Sequence, residues 1–66
     1  MAFSDNLRKI REARGITATA LADAVGIAPP QISKYEAGVT VPNAVTAVAI
    51  ADKLGTTVEI LVKGES

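Results

Sequence analysis

This 66-residue chain contains no cysteine, no histidine and no tryptophan. Those absences remove disulfides, thiolate chemistry and the usual zinc ligands. Neither clustered acids nor a phosphate-cradling glycine loop makes up for them, so no active site can be assembled from these residues. The expectation is a protein that is not an enzyme, with no cofactor, no metal and no small-molecule substrate. No apolar run is long enough to span a bilayer, and the N-terminus lacks a basic stretch followed by an apolar one. A cytoplasmic protein with no membrane partner is therefore expected. Phe3 and Tyr35 are the only aromatic residues.

What remains is aliphatic. Apolar residues make up 48% of the chain, so a core of Ala, Val, Ile and Leu is expected, suited to close helix packing. The length allows one small domain, 1–66, which leaves much of its surface wet. Phe3, Leu7 and Ile10 recur at i, i+4 and i+7, which predicts a first helix over roughly residues 4–14, capped by Ser4 or Asp5 and ended by Gly15. Thr17 caps a second over 18–25, with Leu21, Ala22 and Val25 inward and Gly26 as its stop. Pro29 and Pro30 can only open a third helix, because proline lacks the N–H and clashes further in. The bias of a residue before proline away from the α region makes Pro29 the expected cap and Pro30 the first helical residue, about one residue short of the usual start. Ile32 and Tyr35 face inward and Gly38 closes that helix. Pro42 and Asn43 precede a fourth helix to Leu54, with Ala47, Ile50, Ala51 and Leu54 inside. Thr57 caps a last short helix through Val58, Leu61 and Val62, although its β-branched content also fits a strand. The expected fold is all-α, a compact five-helix bundle.

Two short helices joined through a glycine, the second opening after Ile27, meet the requirements of a helix-turn-helix. Within its core, 17–38, small Ala22 lets the helices approach, Gly26 permits a positive-φ turn, and Leu21, Val25, Ile27, Ile32 and Tyr35 fill the inward positions. The segments Asn6-Leu7-Arg8-Lys9-Ile10-Arg11, Ile32-Ser33-Lys34-Tyr35-Glu36-Ala37-Gly38, Pro42 and Ile50-Ala51-Asp52-Lys53-Leu54-Gly55 extend the pattern over nearly the whole chain. On these residues the sequence resembles the lambda repressor and Cro (Xre-like) class of helix-turn-helix proteins. The resemblance implies an ion pair between Arg11 and Glu36, tying the first helix to the end of the third.

It also implies double-stranded DNA as partner, with DNA-facing positions at Thr17, Ala18, Thr19, Pro29, Pro30, Gln31, Ser33, Lys34 and Thr40. Gln31, Ser33 and Lys34 are the expected base readers, and Thr17, Thr19 and Thr40 the phosphate donors. The chain departs from the family pattern at these very positions. Ala18 stands where a glutamine commonly reaches a phosphate, Pro29 and Pro30 replace polar residues, and Val39 and Val41 occupy a loop that often carries lysine or arginine. Seven basic and seven acidic residues cancel, whereas phosphate binding ordinarily rests on excess positive charge. Four of the seven basic residues, Arg8, Lys9, Arg11 and Arg14, fall in one N-terminal segment, which reads either as a basic face or as an ordinary solvated one.

Val45 and Val48 lie off the expected core stripe, and Ile60 stands where repressor-like relatives form a dimer contact. With Val58 they make the expected self-association surface, against the alternative of singly exposed valines that need no explanation. The sequence therefore predicts a sequence-specific transcriptional regulator acting as a homodimer on a two-fold symmetric operator. The alternative is a protein-interaction module or antitoxin-like component on the same scaffold, with weak DNA affinity.

Overall fold

The computed structural model describes residues 3–64. Its helices are α1 (Phe3–Ala13), α2 (Ala18–Val25), α3 (Pro29–Ala37), α4 (Ala44–Leu54) and α5 (Val58–Lys63), and no strand occurs among the described residues. The last segment is thus helical rather than extended. Three of the starts are fixed by side chains: Thr17, Asn43 and Thr57 accept from the backbone N–H groups of Ala20, Thr46 and Ile60 at 3.0, 2.9 and 3.1 Å. Each bond satisfies a donor that the first turn leaves without an intrahelical partner.

Three boundaries differ from expectation. α1 begins at Phe3, so Ser4 and Asp5 lie inside its first turn and neither is the cap. Asp5 there stabilises the positive end of the helix dipole. α1 also ends at Ala13, where the chain turns away through left-handed Gly15 (φ 70°) and the Ile16 N–H donates back to the Arg11 carbonyl at 3.2 Å. At α3 the N-cap is Ala28, in extended geometry and without a side-chain bond, and both prolines are helical, Pro29 included. The extended conformation required before a proline is met by Ala28 itself (φ −73°, ψ 140°), so the helix is not shortened.

The turn between α2 and α3 depends on Gly26, whose φ of 87° lies in the left-handed region while its N–H donates to the Ala22 carbonyl at 2.8 Å. A side chain here would strain the backbone. The core gathers Leu7, Ile10, Leu21, Ala22, Ile32, Tyr35, Ile50, Ala51, Leu54 and Leu61. Val25 and Ile27 are only half-buried at its margin. Within the six-residue α5, Leu61 takes the buried side and Val62 is exposed.

Long-range polar contacts reinforce this packing. Buried Asn6 donates through Nδ2 to the Leu61 carbonyl at 2.8 Å, and Arg14 Nε donates to the Leu54 carbonyl at 2.8 Å. Each satisfies a carbonyl near the end of a helix that lies far away in sequence. Among the described residues, the buried hydroxyl of Thr56 has no hydrogen-bond partner within the protein.

Candidate nucleic-acid interface

α3 presents two unlike faces. Ile32 and Tyr35 are buried, whereas Pro30, Ser33, Lys34 and Ala37 are exposed. The exposed four recur at i, i+3, i+4 and i+7, which aligns them in one outward stripe. Gln31 and Pro29 are half-buried at its flank. Of the expected base readers, then, Ser33 and Lys34 stand fully on the outer stripe and Gln31 beside it.

The orientation of α3 is held by Arg11 and Glu36. Arg11 Nε donates to Glu36 Oε2 at 2.5 Å and Nη2 donates to Oε1 at 3.1 Å, while Nη1 reaches the Ile16 carbonyl at 2.7 Å. One guanidinium thereby joins α1, the connection before α2, and the last turn of α3. Both side chains are nearly enclosed, 13% and 11% exposed. The hydrogen bond to Glu36 raises the Arg11 pKa, and burial, which opposes it, does not prevail. Paired bidentate geometry of this kind fixes relative orientation.

At the opening of α2, Thr17 and Thr19 are exposed, with the Thr17 hydroxyl engaged as the cap. Ala18 is half-buried and packs against the core. Thr40 is half-buried in the segment after α3, where Val39 and Val41 are both largely exposed. The N-terminal basic segment divides between internal ties and an exposed face. Arg11 and Arg14 make the internal bonds described above, and Arg8 lies 3.6 Å from Glu12 in an exposed i,i+4 pair. Lys9 and Lys34 remain exposed.

The valines on α4 divide from the core as expected, with Val45 80% and Val48 51% exposed. Val58 is half-buried and, with Phe3, Val41, Pro42, Ala47 and Val62, lines an apolar depression of about 380 Å³. Ile60, like Val58 and unlike Val45 and Val48, is half-buried and packed against the core. Among the described residues no group of three or more acids is placed to hold a metal ion, and no helix is long and apolar enough to cross a membrane.

A family model described as helix-turn-helix matches residues 7–61, which include the Arg11–Glu36 clamp and all of α2, α3 and α4. The chain belongs to the lambda repressor-like helix-turn-helix family. Among curated relatives, an uncharacterized HTH-type transcriptional regulator, YqaE of Bacillus subtilis (strain 168), is 38% identical over 97% of this chain. The chain spans 55% of that relative's length. Among solved structures, the P22 c2 repressor in complex with a synthetic operator superposes with a TM-score of 0.92, at 28% identity and 98% coverage of both chains. The Fe(II) form of HppE in complex with substrate superposes with a TM-score of 0.82 at 27% identity. That match covers 92% of this chain but 35% of HppE. The helix-turn-helix unit thus also occurs as a part of a larger protein.

Asn6 and Arg14 were not singled out as structural ties by the sequence. Asn6 occupies a helical position between apolar neighbours, and that placement was the one available sign of a buried polar residue. For Arg14 no such sign exists.

Proposed function

We propose that this chain is a sequence-specific DNA-binding transcriptional regulator, with residues 1–66 as one domain and α3 entering the major groove. The outward stripe Pro30, Ser33, Lys34 and Ala37 carries this reading, because those exposed side chains leave the core to Ile32 and Tyr35 on the other side of α3. The fold match to a repressor bound to its operator supports it. In such a complex the second helix of the motif reads base edges while the first braces against the backbone. Ser33 and Lys34 would contact bases, joined by Gln31 from the flank, and Thr17, Thr19 and Thr40 would supply phosphate contacts. No chemical step is required of any residue.

The regulator acts as a homodimer on a two-fold symmetric operator in this reading. Val45 and Val48 would contribute exposed side chains to the self-association surface, and Val58 would join them from the wall of the apolar depression. Ile60, packed on the core, would act mainly by holding α5 in place. A selection from randomised duplexes with the full chain tests the proposal. Enrichment of a motif with dyad symmetry is the expected result, and no enrichment at any ionic strength rejects it.

The exposure of Val39, Val41, Val45, Val48 and Val62 together, on a chain whose charges cancel, favours a second reading. Here the scaffold serves as a protein-interaction module. It predicts that apolar partners compete for the valine-rich face while random duplex DNA binds only weakly.

A further inference from the structure

The outer stripe of α3 begins with carbon. Pro30 opens it, Ser33 and Lys34 provide its polar middle, and Ala37 closes it. The backbone adds little at the start. Pro29 and Pro30 have no N–H to offer, and the Gln31 N–H is taken by the Ala28 carbonyl at 2.9 Å. Helix starts usually present free donors to anions or acceptor groups. Here the N-cap, Ala28, contributes an exposed methyl and no side-chain hydrogen bond, and Pro30 contributes an exposed pyrrolidine ring. The leading end of the helix that faces the groove therefore recognises by shape and apolar contact.

Only one group in the major groove rewards such contact, the C5 methyl of thymine; the other base features there are hydrogen-bond donors and acceptors. The geometry points to Pro30 as a specificity-determining residue that reads thymine through this methyl, an inference that rests on the DNA-binding reading above. The ring is well suited to it. Its φ is locked and its χ angles nearly so, so little freedom is lost on contact. A glutamine or asparagine in its place would instead seek the adenine edge. One turn along the same stripe, Lys34 faces an acceptor such as guanine N7 or O6. A half-site that fits α3 thus holds a thymine at the helix start and an acceptor-rich edge beyond it.

The test uses the full chain and the duplex enriched by the randomised selection. Each thymine of the half-site is replaced in turn by deoxyuridine, which removes the methyl and leaves every hydrogen-bonding group unchanged. At one thymine per half-site binding should fall about fourfold, the factor corresponding to roughly 0.8 kcal/mol for one buried methyl-sized group. Pro30→Ser should lose a similar factor on the thymine duplex and become indifferent to the uracil substitution. Pro30→Ala, which keeps an apolar contact in a helical position, should retain part of the discrimination. Uracil duplexes bound as tightly as thymine duplexes by the unaltered chain overturn the inference, whatever the variants do. A selection that enriches no sequence overturns the DNA-binding reading and this inference together, whereas an enriched site indifferent to uracil overturns this inference alone.

Discussion

Asn6 and Leu61 stand 55 positions apart and are joined by one hydrogen bond, from the Asn6 Nδ2 to the Leu61 carbonyl at 2.8 Å. The bond spans the first and last helices. Asn6 is a polar side chain only 7% exposed, so its amide has little access to water as an alternative partner. Short α5 is held to the body of the protein by this contact and by buried Leu61.

Asn6→Ala should therefore cost about 1–3 kcal/mol, the usual range when a buried hydrogen-bonding group loses its partner. The loss should concentrate in α5. Hydrogen exchange would detect it as faster exchange of the amides in 58–63 than in α2 or α3, and uniform exchange in both regions would refute the assignment.

Arg11→Met removes three hydrogen bonds and leaves the Glu36 carboxylate in a nearly enclosed site. The expected destabilisation is about 2–4 kcal/mol, set slightly below the range for breaking a fully buried pair because some solvent reaches this one. Adding Glu36→Leu should restore part of it. Denaturant unfolding of the single and double variants measures both effects, and a single variant as stable as the parent would show that the clamp contributes nothing.

Val45→Glu and Val48→Glu should shift the self-association equilibrium toward monomer. Both side chains are exposed, so monomer stability should change by no more than about 0.5 kcal/mol. Ile60→Glu is the poorer choice, because it would place a carboxylate against the core. Sedimentation of the unaltered chain as monomer at high micromolar concentration would remove the dimer proposal.

Lys34→Ala distinguishes base reading from phosphate binding. If Lys34 contacts a base, affinity for the selected site should fall by about 1–3 kcal/mol while random DNA is bound nearly as before. A phosphate contact predicts equal loss on all sequences and a salt slope lower by about one unit. Since Arg11 is enclosed against Glu36 and the seven basic and seven acidic residues cancel, the slope for the unaltered chain should itself be shallow.

Most of the helix pattern was legible because it is set locally. Thr17, Asn43 and Thr57 cap the next helix through bonds three residues away, a distance that spacing alone reveals. Ser4 and Asp5 misled because good capping residues also serve in a first turn, and Pro29 misled because the constraint it imposes was absorbed by Ala28. The ties made by Asn6 and Arg14 were not legible. Their acceptors are carbonyls brought near by tertiary packing, and a carbonyl leaves no mark of its own in the sequence. The basic segment illustrates the same limit for the candidate interface, since composition counts its charges but not the internal partners that occupy them.

The partnerless hydroxyl of Thr56 shows where this small protein has room to improve. A buried oxygen without a donor or acceptor costs more than a methyl of the same size, so Thr56→Val keeps the shape and removes the penalty. Natural domains rarely sit at their stability optimum, and such positions form a reserve. Variants that weaken the fold while altering the outer stripe of α3 could be rescued from this site, on the connection between α4 and α5, without touching any residue assigned to recognition.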